Sequence, residues 1–589
     1  MDTPRVALVP YEARLRKTSG VTRGTGGHPW AKPLHDPPTV PMTAPLFRSP
    51  LVLLLLPITA RAQGFVECTR TLHVLEGEAP GDQFGWVSSP VPDVSGDGAP
   101  ELLVGAPFHD SGGTNAGRVY LFDGRTGLER FHVDGAAGDN LGFAVRDAGD
   151  VDGDTIGDVI AGGRGGVPGV ALVLSGADGS VLRTVRIGSA DDSFGYSVAG
   201  AGDVDLDGTP DLAIGAPFED GAASNAGRVV VVSGADGATV LRSFSGLTAG
   251  DNFGTALANL GDVTGDGRAE LAVGAANAGS GARGRAYVLD LASDMVLYTV
   301  APDGSGAEFG QFFVAAAGEI DGDGFPDLYV GDFADGGGRG KAYLFAGPTG
   351  VRLRTLTGGL GDGFGIGRPL GDLDGDGRTE MLLGSWTDSS GAASAGSAEV
   401  FAGSDGRRLR KVTSTTAGEG FGFDAHGIGD LDGDGLPELV VTAATHDGGR
   451  GRVYVIARLP TETFGQGLAG TAGLEPALAL EGCPRLGASM TFAVDSGRGG
   501  ALGTLLAGAS RRDLPFRGGT LYPGAPLVRW PHRLSGALGD AGAGTVRIDV
   551  TVPADATLIG LAVHAQALYF DPEAPLGIAM TAGVRVDLF

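Results

Sequence analysis

The chain has 589 residues, of which 107 are glycine and 42% are hydrophobic, and it carries a formal net charge of −27. Glycine far above the usual share of about 7%, without a Gly-X-Y period, excludes a collagen-like chain and fits short strands joined by tight turns. So large an acidic excess excludes a nucleic-acid binder, which needs clustered Lys and Arg.

Residues 1–41 are rich in Pro and Gly and show no periodic pattern, so they are expected to be unstructured and upstream of a true start at Met42. Residues 42–62 read as a signal peptide. Arg48 lies in a short n-region, Leu51-Val52-Leu53-Leu54-Leu55-Leu56 is the apolar core, and Ala60-Arg61-Ala62 is an A-x-A cleavage site before Gln63. The apolar run is too short for a stable bilayer anchor. The mature chain is therefore expected to be secreted or held at the cell surface, with no transmembrane segment. Export also permits a disulfide, and the two cysteines are Cys68 and Cys483.

A nonapeptide, most complete as Asp430-Leu431-Asp432-Gly433-Asp434-Gly435-Leu436-Pro437-Glu438, then recurs seven times at steps of 53 to 59 residues. Such a period signals a repeat architecture. Oxygen-bearing side chains occupy positions 1, 3, 5 and 9 of each copy. The first loop has Asp93, Ser95, Asp97 and Glu101; the second Asp150, Asp152, Asp154 and Asp158; the third Asp203, Asp205, Asp207 and Asp211. The fourth has Asp262, Thr264, Asp266 and Glu270; the fifth Glu319, Asp321, Asp323 and Asp327; the sixth Asp372, Asp374, Asp376 and Glu380; the seventh Asp430, Asp432, Asp434 and Glu438.

One such stretch could be an ordinary solvated turn. Seven in register repeat a Coulomb cost that a cation would remove. The spacing suits Ca2+, which takes six to eight oxygens and would gain one more from the position 7 carbonyl. Position 6 is Gly in every copy but the second, which has Thr155. Up to seven calcium ions are expected, enough to cancel about half of the acidic excess. An EF-hand would need Glu at position 12, and the chain has Val104, Ala161, Ile214, Val273, Val330, Leu383 and Val441 there.

Each unit also carries four strand-like segments. In the third these are Phe194-Gly195-Tyr196-Ser197-Val198, Leu212–Pro217, Gly227–Val232 and Val240–Phe244. Four short strands in each of seven units predict a β-propeller. The fold class is therefore all-β: a seven-bladed propeller over residues 69–460, a linker at 461–473 and a small β-sandwich at 474–589. Large apolar residues open the units at Phe84, Leu141, Phe194, Phe253, Phe309, Phe364 and Phe421, and are read as packing between blades.

Phe-Gly, an acidic loop, then Gly105-Ala106-Pro107 or Gly215-Ala216-Pro217 resembles the FG-GAP repeat of the integrin α-subunit propeller. The resemblance implies a seven-bladed ring with calcium in the hairpin between the first two strands of a blade. Integrins generally load only some blades, whereas here every loop keeps acidic ligands, with Ser95 and Thr264 as neutral substitutes.

Thr71–Gly77 has the pattern of a fourth strand with no blade before it, and the last unit stops after its third strand, Arg452–Ile456. The N-terminal strand is predicted to complete that blade and leave no open edge. Closure would bring Cys68 near the exit to the C-terminal region, so the two cysteines either pair or are separately buried thiols. Beyond the ring, alternation in Thr545–Val552 and Ile559–His564 predicts half-buried strands. This tail resembles C-terminal domains of secreted bacterial proteins.

Nine histidines leave little material for acid–base chemistry. No Gly-x-Ser-x-Gly elbow occurs at a strand-to-helix turn, and His426 reads as a strand residue. No catalytic residues are assigned. Two residues after each unit's opening residue stand Trp86, Phe143, Tyr196, Thr255, Gln311, Ile366 and Phe423. These are expected to ring the channel mouth opposite the acidic loops, or to pack in the core. In integrins that mouth resembles a receptor for a partner's basic side chain. The reading is a monomeric, secreted, calcium-binding adhesion or recognition module for an extracellular protein or glycan. The alternatives are an exported polysaccharide-active enzyme on the same scaffold and a structural cell-surface component.

Overall fold

Seven four-stranded antiparallel sheets occupy the chain from Arg70 to Ala457 in a computed structural model. The structure describes residues 65–589 except 68, 167, 190–191, 305, 374, 458–460, 465–466, 485, 518, 526, 559–560 and 589. The stretch 1–41, the expected leader at 42–62, Cys68 and Asp374 therefore lie outside the described residues.

The third sheet shows the plan. Its strands are Ser197–Gly202, Asp211–Ala216, Arg228–Val232 and Val240–Ser245. The second strand is buried at every residue because it has a neighbouring sheet on both faces, whereas the fourth exposes alternate residues at the rim. The first strands are innermost. Val87–Val91 touches Leu141–Gly149, and contact then passes through Ser197–Gly202, Phe253–Gly261, Val314–Gly318, Phe364–Gly371 and Ala425–Gly427 back to Val87–Val91. The sheets are thus the seven blades of a closed propeller.

The repeat residues explain how blades mesh. Phe84, Phe309 and Phe421 are fully buried between blades, as expected of the unit-opening residues. A Cβ placed on Gly105 would lie 2.1 Å from the carbonyl oxygen of Gly142, which follows the next unit's opening residue. The same contact recurs between Gly162 and Gly195 at 2.2 Å and between Gly384 and Gly422 at 2.1 Å. Only glycine lets backbones approach this closely.

The seventh blade is closed by the N-terminal strand. Arg70–Glu76 pairs antiparallel with Arg452–Ala457, with Arg70 opposite Ala457 and Glu76 opposite Arg452. Arg452 Nη2 donates to Glu76 Oε1 at 2.6 Å across this seam. Just upstream, the Phe65 ring packs on Phe421 and Tyr454 at centroid distances of 5.0 and 5.3 Å.

After the ring, the stretch expected as a linker at 461–473 begins instead with a strand, Thr461–Phe464, which pairs with Gly583–Asp587. Its alternating Thr461-Glu462-Thr463-Phe464 precedes the glycines and suits a pleated edge. That sheet continues through Ala562–Phe570, Leu502–Gly508 and Leu527–Arg533. A second sheet joins Ala477–Gly482, Ser489–Gly497 and Gly544–Thr551. Phe492 and Val494 from the second pack with Leu505, Ala567, Tyr569 and Val586 from the first in one core, which is the arrangement of a β-sandwich. Cys483 is disulfide-bonded.

Candidate metal loops and channel mouth

Each acidic nonapeptide is the hairpin between a blade's first and second strands, and its two ends are built differently. The position 1 carboxylate caps the turn: Asp93 accepts from the N–H groups of Gly96 at 2.7 Å and Gly98 at 2.8 Å, as Asp430 does from Gly433 and Gly435. The Gly98 and Gly267 amides hold Asp93 and Asp262 below the usual carboxylate range. The position 5 carboxylate accepts from the position 7 N–H, as Asp97 does from Ala99 at 2.8 Å.

Position 9 opens the buried second strand, or in the seventh blade directly precedes it, so its carboxylate is pulled out of water. Glu101, Asp158, Asp211, Glu270, Asp327, Glu380 and Glu438 are all buried. Each accepts from the position 2 N–H, with Val151 to Asp158 at 2.8 Å as an example. Burial pushes Asp158, Asp211 and Asp327 up to about 6 and Glu438 up to about 8.

Among the described residues, five loops bring three carboxylate oxygens within 4.8 Å of one another. These are Asp150, Asp152 and Asp158; Asp203, Asp205 and Asp211; Asp262, Asp266 and Glu270; Glu319, Asp321 and Asp327; and Asp430, Asp432 and Glu438. The first loop, where Ser95 replaces a carboxylate, forms no such group, and the sixth lacks its described Asp374. Asp154, Asp207, Asp323 and Asp434 stay outside the groups, each accepting the position 7 N–H instead. The donor set fits a hard divalent cation: Glu438 Oε1 is buried without a hydrogen-bond donor, beside the acids of its own loop. Arginines pair with three of the predicted ligands, Arg70 with Asp432, Arg125 Nε with Asp97 at 3.3 Å and Arg378 Nη1 with Glu319 at 3.7 Å.

The opposite ends of the first strands frame an aromatic mouth. A cavity of about 200 Å³ is lined there by Trp86, Phe143, Tyr196, Thr255, Ile366 and Phe423, six of the seven predicted positions. Gln311 is absent from it. In the fifth blade Phe312 takes the place, its ring stacked on Tyr196 at 5.9 Å. Phe333 and Trp386, from loops after the second strands, complete the lining. Ring contacts run from Trp386 through Phe423, Trp86, Phe143 and Tyr196 to Phe312, with centroids 5.0–5.9 Å apart. Arg164 lies over the Phe143 ring at 4.5 Å and the Tyr196 ring at 5.8 Å.

A larger cavity of about 690 Å³ opens on the loop side. Arg146 and Arg368 line both cavities and mark the waist between them. Arg368 Nη2 donates to Asp424 Oδ2 at 2.5 Å and to the Ser88 carbonyl at 2.6 Å, and Ser88 N donates to the same Asp424 oxygen at 2.9 Å. His426 Nδ1 lies 2.8 Å from the Gly427 carbonyl, so Nε2 accepts from Ser88 Oγ at 2.9 Å. Ser88 is 0% and His426 1% exposed, and burial pushes the imidazole down to about 3. The pair therefore ties blades one and seven together as neutral groups. The sequence reading missed Arg146, Arg368 and Asp424. Their signal was charge on first strands that are otherwise small and apolar.

Fold and site together define a seven-bladed β-propeller with acidic hairpins on one face and an aromatic channel mouth on the other. The FG-GAP repeat model matches residues 84–122, 194–232, 253–289 and 427–456, and an FG-GAP-like repeat model matches 372–441. Human integrin alpha-IIb is 37% identical over 170 residues, 25% of this chain and 16% of its own. Integrin alpha-5 of Xenopus laevis is 31% identical over 179 residues, 28% and 17%, and integrin alpha-V of Gallus gallus 30% over 218 residues, 33% and 20%. The chain is thus an integrin-α-like FG-GAP repeat protein, matched to a fifth or less of those relatives' length. Among solved structures, one titled as the Dos1 propeller aligns at 12% identity with a TM-score of 0.35, over 61% of this chain and 76% of that one. No helix among the described residues is long and apolar enough to cross a membrane.

Proposed function

We propose that this chain is a secreted or cell-surface recognition module whose ring is braced by calcium and whose aromatic mouth receives an extracellular protein or glycan. The observation that carries the reading is the half-buried set Trp86, Phe312, Trp386 and Phe423, converging on one open cavity at the end of the ring away from the acidic hairpins. Convergent aromatic side chains around a concave opening are the usual composition of a binding site. The similarity to integrin α chains supports the same direction.

Calcium would be held by the position 1, 3, 5 and 9 oxygens of the hairpins and would supply positive charge where burial has made the position 9 acids costly to ionise. An ion that binds only the folded ring adds about 2.7 kcal/mol per site at a hundredfold excess over Kd. The first test is melting of residues 63–589 in calcium, magnesium and EDTA, with bound metal counted by native mass spectrometry. A calcium-specific rise with several ions bound is expected. The second is capture of extracellular proteins and glycans in calcium by the native chain and by Trp86→Ala and Phe423→Ala. Unchanged capture by folded variants would refute the mouth as the recognition face.

A further inference from the structure

The mouth carries its own cations. Arg164 already covers the faces of Phe143 and Tyr196, where an incoming cation would sit. At the floor stand Arg146, Arg368 and Asp424. Arg368 and Asp424 pair with each other, and Asp424 is further occupied by the Ser88 amide. Among the described residues Arg146 makes no ion pair, and its hydrogen bond goes to the carbonyl of its own neighbour, Val145, at 2.7 Å. Half-buried Arg146 lines both cavities at the waist, and burial with the nearby Arg368, opposed by Asp424, pushes its guanidinium down to about 9, so it stays protonated at neutral pH. On the loop side His426 is neutral, and among the described residues Asp147 makes no ion pair with Arg146, its carboxylate accepting from Gly149 N at 3.3 Å.

We infer that the mouth binds a small amphiphilic carboxylate, whose apolar ring packs among Trp86, Phe143, Tyr196 and Phe423 while its carboxylate meets Arg146. The inference rests on the mouth being the recognition face and gives the ligand's charge a sign. An apolar wall above a guanidinium whose nearest carboxylate, Asp424, is already paired with Arg368 selects such a molecule twice. Burying the ring removes apolar area from water, and the carboxylate makes a charge-assisted, two-pronged hydrogen bond at the waist of the channel. A cavity of about 200 Å³ accepts one ring and a short chain. A free acid and the C-terminus of a peptide ending in an aromatic residue share this chemistry.

The experiment titrates the full chain with 4-phenylbutanoate, 4-phenylbutanamide and 4-phenylbutylammonium, read by calorimetry and by the fluorescence of Trp86 and Trp386. The carboxylate is expected to bind at least ~10-fold more tightly than the amide, the scale of one charge-assisted hydrogen bond, and the ammonium more weakly than either. Arg146→Met should erase the preference for carboxylate over amide while leaving amide binding intact, and Arg146→Lys should keep part of it. Should Arg146→Met fail to fold, the order of the three probes on the native chain and the response of Arg146→Lys still decide. A peptide ending in free phenylalanine, set against its C-terminal amide, distinguishes a protein terminus from a free acid as the source.

Tighter binding of the ammonium, or an Arg146→Met variant that keeps the carboxylate preference, overturns the inference. If the ammonium binds and Trp86→Ala abolishes it, the mouth stands as a recognition face and only the anionic ligand falls. If none of the probes binds, the inference falls, while partner capture continues to test the broader reading.

Discussion

Thr155 offers the sharpest test of how these hairpins are built. Position 6 is left-handed in the seventh and third loops through Gly435 at φ +87° and Gly208 at φ +94°, and Thr155 is forced to φ +72° in the second. An L residue in this region costs roughly 1–2 kcal/mol, and a β-branched one is disfavoured further. Glycine recovers that cost but gives back about 0.5–1 kcal/mol of chain entropy. Thr155→Gly is therefore expected to stabilise the ring by about 1 kcal/mol. The N–H at this position donates to Asp150 Oδ2 at 2.9 Å, and the substitution retains it. The reciprocal change isolates the backbone effect: a Cβ on Gly208 meets nothing within 4 Å, so Gly208→Ala should cost about 1 kcal/mol through its dihedral alone. Unfolding entropy of about 2.1 cal/mol/K per residue over roughly 390 residues converts each into about 1 °C, so the two variants should melt about 2 °C apart. Differential scanning calorimetry in EDTA measures this. Equal melting temperatures, or Gly208→Ala above Thr155→Gly, would refute the account of the loop.

Three further outcomes follow from the geometry. Because position 9 acids are raised in the ion-free ring, to about 8 at Glu438 and about 6 at Asp158, Asp211 and Asp327, their neutral forms favour folding below about 4.5 and this contribution is lost as pH rises through 6 and then 8. Calcium uptake should accordingly release protons and weaken as pH falls from 8 to 5, a trend that calorimetry in buffers of different ionisation heat would reveal. Asp424→Ala strips Arg368 of its buried partner and should cost about 3–5 kcal/mol in guanidinium titration, much of it recovered by Asp424→Leu with Arg368→Met. Deleting residues 65–76 would leave Arg452–Ala457 as an unpaired edge, and light scattering should then show association of rings.

The repeat was legible because its signals are local. Acid spacing, the Phe-Gly pair and the apolar run after each loop all lie within about thirty residues, and a missing fourth strand in the last unit is a matter of counting. The seam between Arg70–Glu76 and Arg452–Ala457 could thus be placed from sequence. The mouth was less legible because loop conformation decides it. Gln311 holds the register position, yet the fifth blade's strand begins only at Val314 and Phe312 occupies the space. Trp386 and Phe333 arrive from loops whose path no periodicity encodes. The waist was missed for another reason: Arg368, Asp424 and Ser88 belong to three different blades, 56 and 336 residues apart along the chain.

The seam also fixes how the ring responds to force. Arg70 faces Ala457, so the chain enters and leaves the ring side by side at one end of a single antiparallel ladder. Tension drawn between those two ends would load the rungs one at a time, from Arg70 and Ala457 toward Glu76 and Arg452, rather than shearing them together. Ahead of that zipper, Val66 N donates to the Thr413 carbonyl at 2.9 Å and Glu67 accepts from the Thr413 hydroxyl at 2.8 Å, so the rim of the sixth blade would take up tension first and shield the seam.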